Sequence, residues 1–430
     1  MNLTITPLLF SKNNYRKNNQ TRTPIFSNDC DVFISFGKKK HKIQSPREIA
    51  LQDALYGHNI MVHPETLSYI FNTRHHEEKR FKEYKALGSY ALETYKRTTL
   101  MQKFPSTSEG EFNALQRKLD YSITNHIAKS LFNDEMFLGE IDKSSYTQCL
   151  CAVLGAIALE DNKGEHENLV NFLNSRVRNF LIKDYSAHPN NPTEKYQSQF
   201  QSMGYDLDKL FIKTKKIGAD FRSKIYYNDA FIASSYGAKT AFDAYNQGIK
   251  IAVYEGQKRN LNELKPDTTK PLDFRKPDEK RKAQLEALCE KYNIKINDLN
   301  LLNRAFMTGK MPDGSYIAHQ ETYEILEYIG DAVLGFCTQR IIDENLERAT
   351  KQDKTRRFLA FVSNNNLIKL SKEMGLPKLL IGEKTNLLQK EYGNIVEAII
   401  GAIYIDGGKN GFDNAYEFID KNFRERIIGN

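Results

Sequence analysis

Residues Val396 to Ile405 form an almost unbroken apolar run, stopped by Asp406-Gly407-Gly408. A helix of that composition is buried on every side, and the paired glycines supply its stop. It cannot stand alone, so other helices must pack around it. Inside the run sits one acid, Glu397. A buried carboxylate is costly unless a cation or hydrogen-bond donors compensate it.

The surrounding sequence supplies the partner helices. Leu285, Leu288, Tyr292, then Leu299, Leu302, Phe306 recur at 3–4 spacing, as do Ile325, Tyr328, Ile329, Ala332 and Val333. Leu359, Phe361, Leu367 and Leu370 continue the pattern, so residues 283–430 are expected to be helical throughout. Within Tyr323-Glu324-Ile325-Leu326-Glu327-Tyr328-Ile329-Gly330-Asp331-Ala332, the three acids Glu324, Glu327 and Asp331 share an arc of roughly 60°. Like charges at this spacing repel, so the grouping costs helix stability. Gly330 and Ala332 leave room for a second helix. If that helix is the one carrying Glu397, with Asn394 one turn earlier, several oxygen ligands converge. Mg²⁺, or alternatively Mn²⁺, prefers such a set. The competing reading is that these acids cap helices or pair with nearby Lys and Arg.

A chain of 430 residues is too long for a single core, and roughly two to four domains are expected. The net charge of +8 suits a nucleic-acid partner and equally a solvated cationic face. Five cysteines without zinc spacing point to a reducing, intracellular setting. No apolar run is long enough for a membrane span, and no phosphate-binding Gly-Lys-Ser/Thr loop implies an ATPase. Residues 1–44 read as a basic extension. Residues 1–28 contain no acid but do contain Lys12, Arg16, Lys17 and Arg22, which fits an organellar transit peptide or a frayed terminus. Cytoplasmic placement is expected, with mitochondria as the alternative.

Polar, proline-bearing breaks divide the rest. One lies at Ser186–Pro192. The other, 256–282, holds Pro266, Pro271 and Pro277 and reads as a semi-extended linker. Between them, residues 191–255 contain three β-prone runs, Leu210–Lys216, Phe221–Tyr227 and Ala230–Ser235, with Asn228-Asp229 as a tight turn. Helices over Glu194–Met203 and Thr240–Val253 flank them, giving an α-β-β-β-α order.

The two acidic segments resemble the signature motifs of the ribonuclease III family. One motif runs acid-apolar-apolar-acid-aromatic-apolar-Gly-Asp, and the other Asp-x-x-Glu-Ala-apolar-Ile-Gly-Ala. The resemblance covers roughly residues 283–427. It implies that Glu327, Asp331 and Glu397 hold metal, that Glu324 opens the signature, and that Asn394 stands where the family has Asp. Asn offers a carbonyl oxygen without charge, so metal affinity should drop. The family's supporting acid on the intervening helix is matched only by Asp353, among Lys354, Arg356 and Arg357, cations suited to RNA phosphates.

Residues 45–185 resemble a degenerate copy of the same domain. Phe81-Lys82-Glu83-Tyr84-Lys85-Ala86-Leu87-Gly88-Ser89 repeats the first motif with Lys82, Lys85 and Ser89 in place of acids. Gln148-Cys149-Leu150-Cys151-Ala152-Val153-Leu154-Gly155-Ala156 repeats the second without its acids. Such a site cannot hold Mg²⁺. The middle block resembles a double-stranded RNA-binding domain, with Lys239 ahead of its last helix facing phosphates. The expected fold is therefore mainly α, two all-α ribonuclease III-like domains flanking a small α-β-β-β-α domain. The implied function is metal-dependent endonucleolytic RNA processing, cleaving double-stranded or structured RNA. The family's domains work in pairs, here as an internal pseudo-dimer, as Dicer pairs two such domains, or as a homodimer. The alternative is a catalytically inactive RNA-binding protein, for example a mitochondrial ribosome subunit.

Overall fold

Two helix crossings, each closed by a pair of glycines, organise the chain. The computed structural model describes residues 45–103, 123–161, 165–186, 192–269, 273–318, 321–382 and 389–429. The N-terminal extension and the break over 187–191 lie outside the described residues. The first block contains α1 (Pro46–Gly57), α2 (Pro64–Ile70), α3 (Lys79–Lys103), helical residues 123–131, α4 (Ser145–Glu160), α5 (Glu167–Phe172) and α6 (Arg178–Ser186). The middle block runs α7 (Pro192–Ser202), β1 (Leu210–Ile217), β2 (Asp220–Tyr227), β3 (Ala230–Ser234) and α8 (Ala241–Lys258). The last block holds α9 (Glu279–Tyr292), α10 (Leu299–Arg304), β4 (Ser315–Tyr316), α11 (Glu324–Asn345), α12 (Lys351–Val362), α13 (Asn364–Glu373), α14 (Gln389–Gly407) and α15 (Gly411–Ile428). The chain is mainly α with one small sheet.

In the last block α11 and α14 cross where a Cβ on Gly330 would lie 1.8 Å from the Glu397 carbonyl oxygen, and one on Gly401 2.1 Å from that of Leu326. Only glycine allows backbones this close. In the first block α3 and α4 repeat the crossing: a Cβ on Gly88 would meet the Cys151 oxygen at 1.8 Å, and one on Gly155 the Tyr84 oxygen at 1.9 Å. Lys85 and Cys151 therefore stand where Glu327 and Glu397 stand in the last block.

The two blocks pack through α3 against α11, running antiparallel. Lys79 donates to the Glu347 carbonyl (3.3 Å), Tyr90 packs on Gly335, and Arg97 reaches Tyr328 and Asp331. Numbers rise along one helix as they fall along the other. His166 Nδ1 meets Asp413 at 2.6 Å with its ring against Phe336, and Arg340 donates to the Glu165 carbonyl at 3.0 Å. One apolar core joins both blocks, including Leu87, Leu150, Leu334, Phe336 and Ile399.

The middle block packs α7 and α8 on one sheet face over Phe200, Ile212, Ile225, Tyr227 and Ile249. Asn228 and Asp229 both take positive φ (47° and 67°), the turn expected between β2 and β3. Two expectations are corrected here. The last block is not helical throughout, because Ser315–Tyr316 adds a fourth strand beside β1 at Thr214 and Lys215, giving the order β3-β2-β1-β4. A turn at Gly314 (φ 74°), with Ser315 N donating to Asp313 at 3.0 Å, presents this short edge. Nor is 256–282 simply a solvated tether. Arg275 is buried, pairs with Asp273 (2.8 Å) and Glu321 (2.7 Å), and lies over Phe211. Asp273 and Arg275 thus pin this stretch to the fold, while most of its other polar side chains face solvent. No described helix is long and apolar enough to cross a membrane.

Candidate active site

Glu324 opens α11, and Glu327 and Asp331 follow along one face of it. Glu324 and Glu327 are half-buried, whereas the Asp331 side chain is 59% exposed. Across the Gly330–Gly401 crossing, α14 brings in Glu397, only 8% exposed, and half-buried Asn394 one turn earlier. Close passage of the helices explains why an acid inside an apolar run faces acids on another helix. Burial, first, and then the Asp331 and Glu327 carboxylates push Glu397 up to about 8, while Arg97 opposes the rise. Tyr323 lies beside the same cluster and donates to Glu391 at 3.3 Å. Burial and the charges of Glu391, Glu327 and Glu324 raise its hydroxyl.

Among the described residues no three His, Cys, Asp or Glu side chains stand close enough, as placed, to hold an ion. The acids face one another without forming a closed cage. Their chemistry nevertheless fits a hard divalent cation. All the donors are oxygens, and Glu397 is a desolvated carboxyl facing two others, which added positive charge would relieve.

Among the described residues, the first block brings a positive charge to the acids. Arg97 on α3 donates from Nη1 to Asp331 Oδ2 (2.9 Å) and to the Tyr328 carbonyl, and from Nε to Glu93 (2.7 Å). Its guanidinium lies 4.5 Å from the centroid of the Tyr328 ring. In the first block's own crossing, Lys85 donates to Gln148 at 3.3 Å and the Ser89 hydroxyl to the Lys85 carbonyl. A cation and an amide there take the places of Glu327 and Asn394.

The expected RNA-facing cations divide. The Lys239 side chain is 85% exposed with Asp220 at 3.0 Å, and Arg356 is exposed with Asp353 at 2.7 Å. Arg357 is mostly covered, donating to Asp353 and to the Ile428 carbonyl (2.8 Å). Lys354 is a correction: its side chain is 6% exposed, and its ammonium lies 2.9 Å from both Glu83 and Asp343. It cannot meet phosphate, because it neutralises two carboxylates at the contact between the blocks. The carboxylate of Asp353, the stand-in for a supporting acid, is taken up by Arg356 and Arg357, while its backbone N–H donates to the N-cap hydroxyl of Thr350.

A family model described as ribonuclease-III-like matches residues 301–427, which contain both acid-bearing helices. Residues 301–427 form a ribonuclease-III-like domain. Among curated relatives of this ribonuclease-III-like domain, ribonuclease 3 of Wolbachia sp. subsp. Brugia malayi is 35% identical over 117 residues, 25% of this chain and 46% of the relative. Ribonuclease 3 of Nitrobacter winogradskyi is 28% identical over 152 residues, 34% of this chain and 56% of the relative. The chain thus spans about half the length of these relatives. Among solved structures, the nuclease domain of Campylobacter jejuni ribonuclease III aligns with a TM-score of 0.28 at 23% identity, covering 32% of this chain and 95% of that one. Giardia intestinalis Dicer aligns with a TM-score of 0.44 at 12% identity, covering 82% of this chain and 56% of that one.

Sequence reasoning missed Arg97, Glu93 and Glu391. Glu391 was findable, three residues ahead of Asn394 and near one face with it. Arg97 lies more than two hundred residues from Asp331, and no local pattern announces that pairing.

Proposed function

We propose that this chain is an endoribonuclease that hydrolyses phosphodiesters in double-stranded or structured RNA, with one working centre in the ribonuclease-III-like domain. The observation that carries this reading is Glu397, a buried acid on an apolar helix directed at Asp331 and Glu327. Packing alone gives no reason to place it there, since an apolar residue of similar volume would be less costly. Glu327, Asp331 and Glu397, with the Asn394 carbonyl, would hold Mg²⁺ or Mn²⁺. A divalent ion at such a site supplies Lewis acidity toward a phosphodiester and a low-pKa water. Glu397 must shed its proton to act as a ligand. Asn394 contributes orientation without charge.

Contact with RNA would rest on exposed cations. Lys239 and Arg356 are two. On the outer sheet face Lys215 lies directly opposite Arg222, with Lys224 beside them, all exposed. Like charges facing across strands destabilise a sheet unless an anion lies over them. We read the contact of α3 with α11 as an internal pairing of a degenerate and a working domain.

Asn394 and the Arg97–Asp331 pair favour a second reading, an RNA-binding protein without turnover. Cleavage of duplex RNA in Mg²⁺ and in Mn²⁺, comparing wild type, Glu397→Gln and Asn394→Asp, tests both. The enzyme reading expects wild-type cleavage that Glu397→Gln lowers by at least about a hundredfold, as loss of a metal ligand does. Tight RNA binding with no cleavage by wild type would replace it with the second reading.

A further inference from the structure

We propose that Arg97 is a working residue of the acidic site, donated by the degenerate block, and that its charge sets how tightly the site holds a divalent ion. The inference rests on the metal reading above and goes beyond it by making the site a product of both blocks.

Three observations carry it. First, the guanidinium takes up one oxygen of Asp331 at 2.9 Å, on a carboxylate that would otherwise face solvent and the other acids. Second, Arg97 is held rather than mobile: Glu93 fixes Nε, the Tyr328 carbonyl accepts from Nη1, and the Tyr328 ring lies under the plane. Its side chain is only 16% exposed. Third, the site already lacks the charge that an acid at Asn394 would bring, so one fixed cation weighs more heavily here. A unit charge fixed a few ångströms from a bound ion opposes its binding directly, the more so the less solvent lies between them. Arg97 is thus a resident counter-ion with which any divalent ion must compete at Asp331.

A purely structural clamp and a resident counter-ion predict different signs. Arg97→Gln removes a positive charge from the site, whereas Glu93→Gln removes the negative charge that offsets Arg97 and neighbouring Lys96 (3.5 Å). Both substitutions break the same ion pair. Mn²⁺ binding to the full chain, without RNA, is measured by the electron paramagnetic resonance of free Mn²⁺, with Glu397→Gln defining the signal from this site. The expected result is binding about tenfold tighter in Arg97→Gln and several-fold weaker in Glu93→Gln, with Arg97→Lys close to wild type. Unchanged or weaker binding in Arg97→Gln, or a shift of both variants in one direction, overturns the proposal while leaving the metal site standing. Absence of any Glu397-dependent Mn²⁺ binding in every variant overturns the metal reading, and this proposal with it. Should Arg97→Gln fail to fold, Glu93→Gln against Arg97→Lys still decides: no weakening in the former relative to the latter rules the proposal out.

Discussion

With its ionisation pushed up to about 8 by burial and by Asp331 and Glu327, the Glu397 carboxyl keeps its proton at neutral pH when no metal is bound. The unfolded chain would release that proton near the ordinary glutamate value of 4.5. Between those limits the folded state binds more protons than the unfolded one. Its contribution is therefore fully present below 4.5 and is lost as pH rises through about 8. Glu397→Gln cannot ionise, so it should gain stability over wild type as pH rises, reaching on the order of a few kcal/mol by pH 8.5. Thermal unfolding in chelator at pH 5 and pH 8.5 measures this, and identical pH slopes for the two proteins would remove the argument. Metal and proton compete for the same oxygens, so Mn²⁺ affinity should climb between pH 6 and 8. At Asn394 the change runs the other way in charge. Asn394→Asp adds a carboxylate one turn from Glu397 and should tighten Mn²⁺ binding about tenfold or more, read by the same titration.

At the scale of helices, the glycine crossings decide both the fold and the site. Gly330→Ala would drive a Cβ into the Glu397 carbonyl oxygen, and the backbone of α14 must move to accommodate it. Overpacking of this kind costs roughly 1–3 kcal/mol or more. Because the displaced residue is Glu397 itself, cleavage per folded molecule should fall as well. Gly88→Ala creates the same clash at Cys151 in the other block, so it should lower the melting temperature comparably with much less loss of cleavage. Equal losses of cleavage in the two variants would refute this division. The crossing in the last block was legible in the sequence, where Gly330 and Ala332 flank an acid and leave room for a second helix. The sheet's first three strands were legible for similar local reasons, through β-prone runs and an Asn-Asp turn. The fourth strand was not, because two residues pair there only through tertiary contact with β1. Lys354 and Arg275 misled for the opposite reason. In sequence a basic residue reads as solvated, and only the fold reveals Asp343 with Glu83, or Asp273 with Glu321, arranged around it. Arg97 belongs with these, a cation whose role depends on a partner far away in sequence.

Across the whole molecule, α3 packs along α11 and joins the two blocks. The contact includes the buried group of Lys354 between Glu83 and Asp343, and an apolar core continuous through both blocks. Removing Lys354 alone leaves the buried Asp343 carboxylate with Gln339 but no cation, and half-buried Glu83 with Lys79 at 3.6 Å, so Lys354→Met should cost on the order of 3 kcal/mol, read by denaturant unfolding. If the internal pairing persists in solution, sedimentation should give the mass of one chain. A single chain then brings at most one set of clustered acids to a duplex, since Lys85, Ser89 and Cys151 occupy the other crossing. On a duplex carrying different labels on its two strands, single-turnover cleavage should cut one strand per encounter and leave a nicked duplex. Both strands cut in one encounter, with a mass of two chains, would mean that two working domains meet across a dimer and that the contact between α3 and α11 is not what completes the enzyme.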